Sequence, residues 1–174
     1  MQTALFVGRF QPFHKGHLQT ILKILEENDR IIIVMGSTEE SFSGRNPLTT
    51  EERTLMIKES LKEAEIPEKT YKVIPVHDIN NIERWVEHLN KHVPPYNRVY
   101  TGSKLVEICY EKNPGPKIIK LNRTSLPISG SEIRKRLIKN ENWENMVPKA
   151  VEALLKKWDI PERLKESSKK ETTS

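Results

Sequence analysis

Two periods of apolar spacing alternate along the chain. Ala4 to Val7 is a short continuous apolar run ending at Gly8, as in a strand buried on both faces. Leu18, Ile21, Leu22 and Leu25 then fall at i, i+3, i+4 and i+7, one face of a helix. Ile31 to Met35 is a β-branched run that stops at Gly36-Ser37 and reads as a second buried strand. Thr49 and Glu52 stand at capping-box spacing, with Leu55, Met56 and Leu61 on helical spacing behind them. Tyr71 to Val76 predicts a third strand, and Ile82, Trp85, Val86 and Leu89 a helix closed by Pro94-Pro95. Arg98 to Thr101 and Lys117 to Leu121 are the fourth and fifth strands, flanking a short helix from Lys104 to Tyr110. A helix from about Ser131 to Lys139 follows, then one carrying Val147, Val151, Leu154, Leu155 and Trp158. Residues 162–174 are polar and lack aromatics, so a flexible tail is expected after a single domain over residues 1–161.

Five strand–helix alternations predict the α/β class: a Rossmann-like parallel five-stranded sheet, helices on both faces, and a C-terminal helical extension. Ligands of such sheets lie beyond the carboxyl ends of the strands. The expected exits are Gly8-Arg9, Gly36-Ser37, His77-Asp78, Thr101-Gly102 and Asn122 onward.

Composition narrows the function classes. With 36% hydrophobic and 30% charged residues, the 174-residue chain can bury a core and is not wholly disordered. No run approaches the roughly 18 apolar residues of a membrane span, and no basic n-region precedes the first apolar run, so neither a membrane partner nor a secretory signal is expected. The single cysteine, Cys109, can form neither an internal disulfide nor a zinc site alone, so a reducing, cytoplasmic setting is expected. The net charge of +5 suits an anionic ligand. Its even spread and the lack of an aromatic-rich RNA motif argue against nucleic acid.

The first exit concentrates chemistry. Gly8-Arg9-Phe10-Gln11-Pro12-Phe13-His14-Lys15-Gly16-His17 joins a strand to a helix starting near Lys15. The helix start offers free N–H groups, and Gly8 and Gly16 allow close backbone approach to a bulky anion. Three readings fit: an HxxH metal pair, surface histidines on a turn, or a phosphate cradle. The sequence places no third metal ligand, and the bracketing glycines and Arg9 disfavour an ordinary turn. Neither GxxxxGK[ST] nor GxGxxG occurs, so the cradle is not of the P-loop or dinucleotide-binding kind. At the last exit, Ile128-Ser129-Gly130-Ser131-Glu132-Ile133-Arg134 opens another helix. There Ser131 reads as the N-cap, Ser129 adds a second hydroxyl, and Arg134 can turn its fork toward the same anion.

These two segments resemble the HxGH and ISGTxIR signatures of the nucleotidyltransferase superfamily, with Ser131 in place of Thr. The ten-residue string GRFQPFHKGH is similar to that of archaeal-type nicotinamide-mononucleotide adenylyltransferases, and the resemblance runs over about residues 3 to 158. It implies adenylyl transfer from ATP to nicotinamide mononucleotide (NMN), giving NAD and pyrophosphate. His14, His17, Arg45 and Arg134 would be the catalytic residues. ATP would also touch Gly8, Arg9, Phe10, Gly16, Gly102, Ile128, Ser129 and Ser131. Arg45 belongs to a GS…RNPxT…ER pattern and would reach the triphosphate. Gly36, Ser37, Asp78, Asn80, Asn81 and Trp85 would form the mononucleotide pocket, with Trp85 stacked on the nicotinamide ring. From spacing alone, Trp85 fits a core position equally well. No protein metal ligand is expected, because Mg²⁺ would arrive with ATP and bridge its outer phosphates. The family also implies a homo-oligomer, often a hexamer. The alternatives are an adenylyltransferase for another phosphate acceptor, such as pantetheine phosphate or flavin mononucleotide, and a non-catalytic nucleotide- or RNA-binding module.

Overall fold

The computed structural model describes residues 1–121 and 128–171. Five parallel strands, β1 (Thr3–Gly8), β2 (Arg30–Met35), β3 (Tyr71–Pro75), β4 (Arg98–Thr101) and β5 (Lys117–Lys120), form one sheet in the order β3-β2-β1-β4-β5. The chain winds outward from β1 to β3, returns, and winds the other way through β4 to β5. This is the doubly wound arrangement expected from the alternation of elements. The helices are α1 (Lys15–Glu27), α2 (Thr50–Glu63), α3 (Trp85–Asn90), α4 (Lys104–Lys112), α5 (Gly130–Lys139), α6 (Lys149–Lys157) and α7 (Ile160–Glu171). Among the described residues no helix is long and apolar enough to cross a membrane.

The described residues group into two compact units interleaved in sequence. The first comprises residues 1–9, 20–39 and 67–121, and the second residues 10–19, 40–66 and 128–171. The first holds the sheet. Ile32 and Val34 on β2 join Leu5, Val99, Val86, Leu89, Val106 and Cys109 in one core cluster. Ile31, Ile33 and Met35, of opposite parity, are buried too. Burial at both parities is why β2 is apolar throughout rather than alternating.

The second unit is helical. α2 carries the expected capping box: Glu52 N–H donates to Thr49 Oγ1 (3.2 Å), and Thr49 N–H donates back to Glu52 Oε2 (2.9 Å). α6 packs on α2, and α7 packs on α5 and α6.

Several expectations change. The residues expected to be a flexible tail from 162 onward continue α7 as far as Glu171, because Ile160, Leu164 and Ser167 at i, i+4 and i+7 bury one face. The end of that tail, residues 172–174, lies outside the described residues. So does the fifth strand exit from Asn122. Leu22, Leu55 and Ile82 face outward, while Ile24, Met56 and Val86 take the core positions. α5 is capped by Ser129, not Ser131: Ser129 Oγ accepts the Glu132 N–H at 3.2 Å, and Ser131 lies inside the first turn.

Candidate active site

In the second unit, Phe10 to His17 form the turn into α1. Phe10 has a left-handed backbone (φ 53°), which disfavours a bulky side chain by about 1–2 kcal/mol. Its buried ring lies edge-on to His17 at 4.8 Å, and Phe13 tilts against His17 at 5.4 Å. The buried Phe10 ring thus packs against His17, so any contact with a ligand would come from its backbone.

His14 and His17 stack face to face, with ring centroids 3.5 Å apart. The His14 N–H donates to Nδ1 of His17 (3.2 Å), and the His17 N–H donates to Nδ1 of His14 (3.3 Å). A nitrogen that accepts cannot carry the proton, so both neutral rings hold theirs on Nε2. Burial pushes His14 down to about 4. Burial, and secondarily the neighbouring His14, drives His17 well below the ordinary histidine value. At neutral pH the motif therefore offers two parallel, uncharged Nε2–H donors on a helix start.

A stability consequence follows from the same geometry. The unfolded chain takes up protons on both histidines near 6.5, whereas folded His14 resists down to about 4. The histidines' contribution to stability is fully present above pH 6.5 and is lost as pH falls through that window. For His14 alone the loss is about 2 kcal/mol by pH 5. Urea unfolding at pH 7.5 and pH 5 reads this, and His14→Asn should flatten the dependence. An unchanged slope in that variant would show that His14 is not the group responsible.

Residues 40–49 of the loop after β2 belong to the second unit, and nearly every residue around Arg45 is pinned. Arg134 donates from Nε to the Gly44 carbonyl (3.1 Å), from Nη1 to the Gln11 carbonyl (2.6 Å) and from Nη2 to Ser131 Oγ (3.3 Å). Gln11 pairs with the Leu48 backbone in both directions, each bond at 3.0 Å. Ser43 Oγ accepts the Asn46 N–H at 3.0 Å. Arg45 itself is exposed. The Arg134 fork, expected to reach an anion, is here turned onto two backbone carbonyls, tying the histidine turn and the Arg45 loop to α5. Gly130 makes that possible: a Cβ there would come within 2.9 Å of the Gln11 carbonyl oxygen and 3.2 Å of Arg134 Nη1. Ile128 and Ser129 lead into the same helix.

In the first unit, the strand exits are joined by short bonds. The Gly36 N–H donates to the Gly8 carbonyl (3.0 Å), and Arg9 is half-buried beside it in sequence. Ser37 Oγ donates to Asp78 Oδ2 (2.9 Å), and Trp85 Nε1–H donates to Asp78 Oδ1 (3.3 Å). One carboxylate thus bridges the exits of β2 and β3 and the start of α3. Trp85 is half-buried and stands edge-on to Tyr110 at 6.2 Å. Asn81 Oδ1 accepts the Arg84 N–H at 3.1 Å, and Asn80 is exposed. Ser37 and Asn80 have positive φ, 50° and 47°, the kind of local strain that gathers at functional sites. Gly102 is exposed at the exit of β4, and a Cβ on Gly36 would meet nothing within 4 Å. A shallow cavity of about 290 Å³ lined by Ile79, Asn81, Arg84, Glu87, His88 and Lys91 includes only Asn81 of the expected acceptor residues. A larger one, about 450 Å³, sits at the amino ends of β1–β3 and includes none of them.

Sequence reasoning missed Arg163 and Ser167, which hold the Arg45 loop from α7, and saw Glu52 only as a cap, not as the partner of Arg163. Their only signal was the Ile160/Leu164/Ser167 spacing. Among the described residues no group of three or more His, Cys, Asp or Glu side chains is placed to hold a metal ion.

Comparison with known proteins completes the picture. A family described as cytidylyltransferase-like matches residues 5–136. A nicotinamide-nucleotide adenylyltransferase of Picrophilus torridus is 40% identical over 95% of this chain and 96% of its own, and one of Methanococcus aeolicus is 42% identical over 97% and 96%. In fold, the chain is similar to a bifunctional NMN adenylyltransferase/ADP ribose pyrophosphatase of Francisella tularensis, solved with AMP and a manganese ion. The TM-score is 0.79 at 22% identity, over 97% of this chain and about half (53%) of that larger one. With the family matched over most of its length and relatives aligned nearly end to end, the chain belongs to the cytidylyltransferase-like family, among the nicotinamide-nucleotide adenylyltransferases.

Proposed function

We propose that the chain transfers the adenylyl group of ATP to NMN. An oxygen of the NMN phosphate attacks the α-phosphorus of ATP, the bond to the β-phosphate oxygen breaks, and pyrophosphate leaves with that electron pair. The nucleophile is already ionised at neutral pH, so neither a general base nor a covalent enzyme nucleophile is needed. The reaction needs alignment and donors where negative charge moves.

The observation that carries this reading is the stacked His14–His17 pair, fixed as two neutral Nε2–H donors at the start of α1. Such donors favour phosphate oxygens without having to titrate. Arg45 reaches the triphosphate, and Arg134 holds the two loops that carry the histidines and Arg45. The start of α5, with Ser129, Ser131 and the Ile128 backbone, adds N–H and hydroxyl contacts to ATP. Gly8, Arg9, Phe10, Gly16 and Gly102 complete the ATP contacts by resemblance. The acceptor is assigned to Gly36, Ser37, Asp78, Asn80, Asn81 and Trp85. Mg²⁺ enters as part of the ATP substrate, because it prefers oxygen ligands that phosphates and water supply. The manganese ion in the Francisella protein supports a divalent cation. A cytoplasmic homo-oligomer completes the proposal, and light scattering reads its mass.

Trp85 separates the two substrates. Stacking of a base-like ring on an aromatic is worth about 1–3 kcal/mol. Trp85→Ala should raise KM for NMN roughly 10-fold, leaving that for ATP little changed, and Trp85→Phe should retain most of the affinity. If Trp85→Ala instead weakens both substrates together with a sharp fall in melting temperature, its role is core packing.

The reading as a whole is tested by an acceptor panel. With Mg·ATP, NMN should support pyrophosphate release, while pantetheine phosphate and flavin mononucleotide should not. Faster turnover with either of those would reassign the acceptor, and no turnover with any would favour a non-catalytic nucleotide-binding module.

A further inference from the structure

The loop that presents Arg45 is held by the C-terminal helix. From α7, Arg163 grips Glu52 with both arms of its fork: Nη1 to Oε2 at 2.7 Å and Nη2 to Oε1 at 2.9 Å. Its Nη1 also donates to the Pro47 carbonyl at 3.1 Å, and its guanidinium lies over the Phe42 ring at 5.0 Å. One turn on, the single Ser167 O–H is shared between the Phe42 carbonyl at 3.0 Å and the Arg163 carbonyl at 2.9 Å. Phe42 and Pro47 bracket Arg45, so α7 fixes the loop on both sides of it. The grip is directional. A bidentate guanidinium–carboxylate pair sets angle as well as distance. Here the carboxylate is the same Glu52 that closes the capping box at the start of α2. Both partners are largely shielded, with side chains 21% and 15% exposed, unlike an ordinary surface ion pair.

We infer that α7 is the positioning element of the Arg45 loop and that Arg163 is its positioning residue, acting on adenylyl transfer only through where it places Arg45. The inference rests on the proposal that Arg45 meets the triphosphate. A guanidinium at the end of a long side chain is useful in catalysis only if its backbone base is fixed. Misplacement by about 1 Å can cost 10²-fold in rate. Arg45 draws that fixity from α7, at Phe42 and Pro47, and from Arg134 and Gln11, at Gly44 and Leu48.

A double-mutant cycle on the full chain tests this, with melting temperature, kcat and both Michaelis constants measured for each protein. Arg163→Gln should lower kcat/KM for ATP about 10-fold in the wild-type background, with KM for NMN unchanged. In the Arg45→Ala background the same substitution should cost less than about 2-fold, because there is no longer a guanidinium to misplace. Arg163→Lys should recover little, since it loses the fork. Equal losses in both backgrounds would make Arg163 merely structural, and no loss in either would remove it from function. Should Arg163→Gln not fold, Ser167→Ala removes one bond to Phe42 and leaves the Glu52 pair intact. It should cost about 3-fold in the wild-type background and nothing beside Arg45→Ala; no loss in the wild-type background, or an equal loss in both, would overturn the inference. The two levels fail separately. Wild-type turnover in Arg45→Ala alone would sink the assignment of Arg45 and this inference with it. A crippled Arg45→Ala beside an unaffected Arg163→Gln would sink only the inference.

Discussion

Replacing His17 by alanine is expected to lower turnover by about 10²- to 10³-fold, the loss typical of removing one donor aimed at developing charge, with a smaller change in ATP affinity. The reason is specific to its tautomer. His17 Nδ1 is occupied by the His14 N–H, so the working group is Nε2–H. A glutamine amide reaches about as far as Nε2, whereas an asparagine amide reaches only as far as Nδ1. His17→Gln should therefore recover a measurable part of the rate, and His17→Asn should stay near the alanine level. Because His17 also stacks on His14 and meets Phe10 and Phe13, alanine should lower the melting temperature as well. The order of rates among the three variants, which does not follow stability, isolates the donor. Asparagine outperforming glutamine would reverse the tautomer assignment, and wild-type turnover in His17→Ala would remove the residue from the mechanism.

Arg45→Ala is expected to have an effect of the same order, about 10²-fold or more in kcat/KM for ATP, without a change in fold. Its side chain is exposed, so its removal leaves the core of the second unit untouched. Arg45→Lys keeps the charge and loses the planar fork, and should recover less than about a tenth of the wild-type rate. Circular dichroism and steady-state kinetics on the same preparations separate fold from function. Full activity with lysine would mean that a point charge suffices and that the pinned geometry of the loop serves some other end.

What could be read from the sequence follows from where the relevant forces act. The β2 strand was legible because burial at both parities writes itself as an unbroken apolar run from Ile31 to Met35. The capping box at Thr49 and Glu52 was legible because its partners lie three residues apart. The histidine turn was legible as a motif, but the mutual pinning of its Nδ1 atoms was not, since it depends on ring rotamers. The cap of α5 went to Ser129 rather than Ser131 because two hydroxyls two positions apart compete for one role, and helix phase decides between them. α7 was misread because its apolar face is only Ile160 and Leu164, completed by a serine. Its key charge, Arg163, looked solvated because its partner Glu52 lies 111 residues earlier. The tether from Arg134 to Gln11 spans 123 residues and leaves no periodic trace either. Local rules found the elements and the chemistry-bearing turns. The long-range bonds that aim Arg45 could be seen only in three dimensions.

The most direct test of the central claim is a stoichiometric one: the purified protein, Mg·ATP and NMN, with NAD and pyrophosphate quantified in the same time course. The account requires both products to appear in equal amounts, dependent on both substrates and lowered together by about 10²-fold in Arg45→Ala. NAD-independent pyrophosphate release, or ATP binding with neither product formed, would contradict it.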